Sequence, residues 1–154
     1  MIVEAQLPIR GSRAAVWAAI TDIADAASFI KGIEKIDLLH TPAQGLVGLK
    51  WRETRILFGK PAAVDKWITA ATDGQHYTTE AAEGGFVFLT TFRIADGEGG
   101  SVLVSRHETR PQGFLPSLQA IPMKLFFRGV IRKAILKDLE DIKAAVEGGR
   151  FGSA

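Results

Sequence analysis

Hydrophobic and polar positions alternate through the middle of the chain and recur every three or four residues near its end. The strongest helical period runs from Pro122 to Glu147. There Phe127, Ile131, Ile135, Leu139, Ile142 and Val146 form one stripe, while Lys133, Lys137, Glu140, Asp141 and Lys143 take other faces. Pro122 suits a first helical position, and Gly148 with Gly149 suit the stop. At roughly 1.5 Å per residue this helix is about 39 Å long, enough to cross a small domain. Met123, Phe126, Val130 and Ala134 add a second apolar stripe beside the first. A helix solvated on one side does not need it, so the first half is predicted either to sink deeper than the second or to face an apolar hollow.

From the start of the chain, Ile2 to Ile9 is aliphatic and closed by Pro8 and Gly11, which predicts a strand. Ser12 can cap a helix carrying Val16, Ile20 and Ile23, with a break at Asp22 and Asp25 and a second short helix to Ile30. The period then becomes alternating. Ile33 to His40, Val47 to Phe58, Ala62 to Ala71, His76 to Glu83, Phe86 to Ala95 and Ser101 to Arg110 predict six strands. The turn signals between them, such as Gly59-Lys60-Pro61, Asp73-Gly74 and Gly84-Gly85, are short and therefore join antiparallel neighbours. One strand, two short helices, six strands and a long helix satisfy every apolar face if a curved antiparallel sheet wraps around that helix.

The 154 residues predict a single domain over 1–148 with a flexible tail over 149–154. Without cysteine there is neither a disulfide nor a thiolate chemistry. A formal charge of +2 with interspersed signs leaves no footprint for nucleic acid. No apolar run reaches the length of a membrane span, and the first residues lack the pattern of a leader, so a cytoplasmic protein, monomer or homodimer, is expected.

Ser12 followed by Val16-Trp17 and Thr21-Asp22, Val47-Gly48 leading to Lys50-Trp51-Arg52-Glu53-Thr54-Arg55, Phe58-Gly59-Lys60 and the terminal helix together resemble the START-related superfamily. That superfamily takes in polyketide cyclases and dehydrases, plant pathogenesis-related allergens and lipid-transfer domains. The resemblance covers nearly the whole chain and implies an α+β helix-grip fold. In that fold a curved seven-stranded antiparallel sheet, with two short helices after strand one, wraps a long C-terminal helix around an internal apolar cavity. It implies no particular reaction.

Phe86, Phe88, Phe92 and Ile94 share one strand face with Thr90 between them, and alternation can aim Trp51 and Trp67 inward as well. Glu53 and Arg55 share the face of Trp51, so an inward Trp51 carries a carboxylate and a guanidinium with it. Buried charges of this kind should pair. A ligand-binding set follows: Trp51, Glu53, Arg55, Trp67, Phe88, Thr90, Phe92, Arg106, Met123 and Phe127. Arg106 and His107 fall on opposite faces of one strand, so only one of them points inward, and the flanking residues leave the choice open. His40, His76 and His107 lack metal-ligand spacing, and neither a metal nor a cofactor is assigned.

These residues support a carrier or sensor of a small apolar molecule such as a lipid, polyketide or aromatic compound. The alternative is a cyclase or dehydratase in which Glu53, with a raised pKa, works beside Arg55, or in which His107 moves the proton. A third reading is a protein-interaction module using the apolar lip at 113–122, where Phe114, Leu115, Leu118 and Ile121 fall. Membrane contact by that lip is the weaker expectation beside its simply closing the cavity.

Overall fold

The computed structural model describes residues 1–113 and 121–152, and for 121–127 the backbone alone. Strand β1 (Ile2–Ile9) leads to helix α1 (Arg13–Thr21) and a single 3-10 turn at Ala26–Ser28. Then come β2 (Ile33–His40), β3 (Lys50–Leu57), β4 (Lys60–Thr72), β5 (His76–Glu83), β6 (Phe86–Gly97), β7 (Gly100–Pro111) and α2 (Ile121–Glu147). The sheet order is β1-β7-β6-β5-β4-β3-β2, antiparallel throughout. Thus β2 to β7 form the expected meander, and β1 closes against the last strand rather than the next one.

Each predicted strand is present, with ends shifted by a few residues. Ser12 caps α1 as expected, its hydroxyl accepting from the Ala15 N–H at 3.0 Å. The second helix shrinks to one 3-10 turn. The ladder slips between Ile68 and Ala70 on the 13-residue β4 and twice along the 8-residue β2. An extra residue on one strand increases local twist, and the bent sheet presents a concave face to α2.

On α2, Ile135, Leu139, Ile142 and Val146 are buried, packing with Val3, Ala5 and Ile9 of β1, Val16 and Ile20 of α1, and Leu103 of β7. The first stripe is therefore the core stripe. The second differs from expectation: Val130 is 43% exposed and Ala134 is exposed, because α2 lies on the sheet by one side only. Met123 and Phe126 of that stripe, like Phe127, fall outside the described side chains, as do the lip residues 114–120. Residues 150 and 151, within the stretch expected as the tail, make side-chain contacts. The Arg150 guanidinium donates to Asp25 at 2.7 Å and to the Ser28 hydroxyl, and Phe151 meets Phe29 edge-on at 5.2 Å. Those contacts fasten residues 150 and 151 to the 3-10 turn. Among the described residues no helix is long and apolar enough to cross a membrane.

Leu139 is fully buried and its neighbour Glu140 is exposed. Leu139→Ala should cost about 2–5 kcal/mol in urea unfolding, whereas Glu140→Ala should stay within about 0.5 kcal/mol. Equal effects would mean that α2 does not rest on the core by this stripe.

Candidate functional site

Between the concave face and the two helices lies a cavity of about 70 Å³. Ala19, Ile20, Ile23, Ile30, Ile33, Trp51, Tyr77, Phe92 and Ile142 form its apolar wall. Glu53, Arg55, Lys66, Thr79, Thr90, His107 and Asp138 form its polar one. The pairing register explains why these side chains converge. Trp51 on β3 stands opposite Lys66 on β4, and Thr90 on β6 stands opposite His107 on β7 and Thr79 on β5, so each set shares the inner face.

The polar wall is organised about the buried Glu53. Its Oε2 accepts from the Arg55 Nε at 2.7 Å and the Lys66 Nζ at 2.9 Å, and its Oε1 from the Trp51 indole at 3.4 Å. Arg55 turns the rest of its guanidinium to Asp138 on α2, donating to both carboxylate oxygens at 3.2 and 2.7 Å. A fork of this kind fixes distance and plane together. Gly32 leaves room for it: a Cβ there would lie 2.9 Å from the guanidinium and 3.3 Å from the Asp138 carboxylate. Two cations and two anions cancel, and the chain of contacts Lys66–Glu53–Arg55–Asp138 runs from sheet to helix.

These neighbours set the protonation states. Burial alone would raise the Glu53 pKa, but the charges of Lys66 and Arg55 and their hydrogen bonds outweigh it and hold the carboxyl at about 2. The expectation of a raised pKa is thereby reversed, and a carboxylate so firmly ionised and occupied is a poor acid and a poor base. Burial lowers the Arg55 pKa, and its bonds to Asp138 and the Glu53 charge more than restore it, so the net shift is upward. Burial, reinforced by Lys66 and Arg55 against the pull of Glu53, lowers His107 to about 4. Its imidazole is neutral near pH 7, with Nδ1 3.3 Å from the Thr90 hydroxyl. Burial and then the Glu53 charge raise the Tyr77 pKa, and its hydroxyl stays protonated to donate to the Ile20 carbonyl at 2.6 Å.

Of the residues expected at the site, Trp51, Glu53, Arg55, Thr90, Phe92 and His107 line the cavity. Trp67 does not. It stands opposite Lys50 on the outer face, where the ammonium lies 5.7 Å from its ring centroid. Arg106 is outside as well, bonded to Glu108 at 3.2 Å, which resolves the open register in favour of His107. Phe88 shares the inner face with Phe92 but lies nearer the strand end, 37% exposed against Phe86 and away from the cavity. Met123 and Phe127 belong to the side chains outside the description. Two charged site residues escaped sequence reasoning, and both left a signal. Lys66 is the neighbour of Trp67 that alternation had to turn inward if Trp67 turned outward. Asp138, three residues after Ile135 and four before Ile142, interrupts the apolar stripe with an acid.

The hydrogen-bond balance is unequal. Every carboxylate oxygen of Glu53 and Asp138 has a donor, whereas Lys66 uses one of its three N–H groups among the described residues. Lys66 can therefore donate to an incoming oxygen with lone pairs, while each carboxylate oxygen is already engaged. No group of acidic or histidine side chains among the described residues has the arrangement of a metal site.

The profile of a family described as polyketide cyclase / dehydrase and lipid transport matches residues 2–147. Among solved structures, the protein TTHA0849 from Thermus thermophilus superposes with a TM-score of 0.78 at 13% identity, covering 96% of this chain and 98% of that one. The Zhui aromatase/cyclase from Streptomyces sp. R1128 gives 0.73 at 16% identity over 96% and 93% of the two chains. A START superfamily protein from Mycobacterium smegmatis gives 0.68 at 14% identity over 97% and 96%. At these identities the likeness establishes the helix-grip fold. No curated protein matches the sequence.

The two depressed pKa values predict a two-part acid sensitivity. Between about 6.5 and about 4 the unfolded chain protonates its histidine while folded His107 stays neutral, so the unfolded state binds more protons and stability falls with pH. From about 4.5 toward 2, the unfolded carboxyl is protonated while folded Glu53 stays ionised, which extends the loss. His107→Gln should flatten the upper part of the stability profile measured by urea unfolding and leave the lower part. An unchanged upper slope would mean that His107 is not held neutral.

Proposed function

The chain belongs to the polyketide cyclase/dehydrase and lipid transport family, and from that premise we propose that it binds a small, largely apolar molecule through one acceptor oxygen. The observation that carries this reading is the unequal polar wall: every carboxylate oxygen already engaged, and Lys66, with N–H groups to spare among the described residues, beside a neutral His107 and across from an aliphatic and aromatic wall. A carbonyl, ether or phenol oxygen at Lys66 would leave the ligand's rings or chain against Ile20, Trp51, Phe92 and Ile142. At about 70 Å³ the cavity is far below the roughly 300–1,000 Å³ of pockets for drug-sized ligands. That size favours a compact molecule, or the oxygenated end of a longer one whose remainder displaces part of the wall. Carriage or sensing needs nothing more.

A second reading is an enzyme of the cyclase or dehydratase class, and one observation favours it. His107 is neutral and faces the same cavity as Lys66. It could accept a proton from carbon next to a carbonyl whose oxygen is held by the ammonium. The superposition on a protein described as an aromatase/cyclase makes this the chemistry to test. Glu53 is a weaker candidate than His107 because its oxygens are already engaged.

An environment-sensitive apolar dye should bind at one saturable site, and flat oxygenated aromatics should displace it. Lys66→Met should weaken oxygenated ligands about tenfold or more while sparing their hydrocarbon analogues, as loss of a charge-assisted hydrogen bond implies. Phe92→Trp should weaken both by filling the cavity. Unsaturable dye binding, or equal losses for both ligand types in Lys66→Met, would refute the anchor. With a polyketide-like compound that binds, His107→Gln lowering turnover about a hundredfold with affinity retained would establish the enzyme. Absence of product from the unaltered protein would leave the carrier.

A further inference from the structure

The β3–β4 hairpin extends beyond the rest of the sheet. On one side β2 pairs with β3 only as far as Arg55, and on the other β5 pairs with β4 only from Lys66 onward. Ile56 and Leu57, opposite Pro61 and Lys60, thus form a two-stranded ribbon with no further strand paired to it among the described residues. On the β5 side it overhangs by six residues, Lys60 to Asp65, roughly 20 Å at about 3.3 Å each.

The tip of this ribbon is greasy where a soluble hairpin is normally polar. Ile56 and Leu57 are each about half exposed, and Phe58 is 90% exposed, the most exposed large apolar residue among those described. Phe58 also has φ of 51°, followed by Gly59 at 78°. Two successive positive φ values define a turn that favours Asn-Gly and penalises a bulky first residue. The turn would form more readily with another residue, so folding does not account for Phe58. The charges here are one-sided. From Thr54 to Val64 there is no acidic residue, Arg55 is engaged with Glu53 and Asp138, and exposed Lys60 stands beside Phe58.

We propose that the tip Ile56-Leu57-Phe58-Gly59-Lys60 is a wedge that docks the protein onto an anionic lipid surface. A convex point of three apolar side chains can enter the soft headgroup layer, whereas a protein partner would need a matching pocket for it. A lysine flanking the apolar point suits the phosphate level of a negatively charged leaflet. The wedge begins at the residue after Arg55, so docking would bring the polar wall of the cavity close to the bilayer. Docking at the tip is independent of which ligand the cavity takes.

The test is co-sedimentation of the full chain with phosphatidylcholine vesicles and with mixed phosphatidylcholine–phosphatidylserine vesicles. The unaltered protein should partition onto the mixed vesicles, less so as salt rises, and poorly onto phosphatidylcholine alone. Phe58→Asn, which suits the turn, should keep or raise the melting temperature while reducing partitioning about tenfold or more. Lys60→Gln should reduce binding to the anionic vesicles alone. Phe58→Trp should keep binding and add an emission component that shifts to the blue and is quenched by brominated acyl chains. Equal partitioning of the unaltered protein and Phe58→Asn, or no partitioning by either, overturns the proposal. So does a dimer in solution that Phe58→Asn dissociates, which would make a second copy the occupant of the tip.

Discussion

A buried carboxylate, Glu53, constrains the centre of this protein more than any other group. An ionised side chain in a largely apolar interior is tolerable only if its lone pairs are met, and three side chains meet them: Trp51, Arg55 and Lys66. Two of these are cations that need anions in turn, and Arg55 takes its second from Asp138 on α2. The position of the terminal helix over the sheet is therefore fixed by a planar two-point contact as well as by the Ile135, Leu139 and Ile142 stripe. Apolar packing tolerates small slides of a helix along a concave sheet. A bidentate guanidinium–carboxylate pair does not.

The same network explains why the cavity is polar on one side only. Its charges are drawn from β3, β4 and α2, while the apolar wall comes from α1, Ile23 and Ile30 on either side of the 3-10 turn, β2 and the aromatic residues of β3, β5 and β6, with Ile142 of α2. Tyr77 links the two by donating to the Ile20 carbonyl while its ring packs 5.6 Å from Phe92 and 6.1 Å from Trp17. Because the carboxylate oxygens are already engaged and the cluster is neutral as a whole, an uncharged acceptor oxygen of the proposed ligand would add a hydrogen bond at Lys66 without unbalancing charge. A ligand carboxylate would bring an extra negative charge, which His107 is placed to offset by taking up a proton, against the burial that now keeps it neutral.

How much of this was legible in the sequence depended on whether a residue's direction follows from its own strand or from its neighbour's register. Trp51, Glu53 and Arg55 were legible because strict alternation keeps them together whichever way the strand faces. Trp67 was not: alternation within its own strand allows either direction, and the pairing of Trp51 with Lys66 decides for the outer face. For Arg106 and His107 the flanking residues were equally mixed on both faces, and only the pairing of Thr90 with His107 separates them. On β4 the ladder slip after Ile68 shifts the pairing with β5 in a way that alternation alone cannot reveal. The helix gave its core stripe clearly, yet its second stripe was over-read. Apolar side chains at Val130 and Ala134 are compatible with exposure, and one interrupting acid, Asp138, carried more information than either.

Strand β3 departs from the ordinary pattern twice, in opposite senses. Within the sheet it turns a carboxylate and a guanidinium toward the interior, and beyond the sheet it turns isoleucine, leucine and phenylalanine toward solvent. Each departure works against folding, since a buried ion pair is often no better for stability than apolar residues of the same volume, and an exposed aromatic in a left-handed turn contributes no packing. Sequences that specify a fold usually agree with themselves at every level, and the places where they do not tend to be where they work. Both departures adjoin Arg55, one on each side, and that residue also joins the strand to the helix. The hairpin tip and the residue that holds α2 over the cavity are thus neighbours on one strand, Ile56 directly following Arg55.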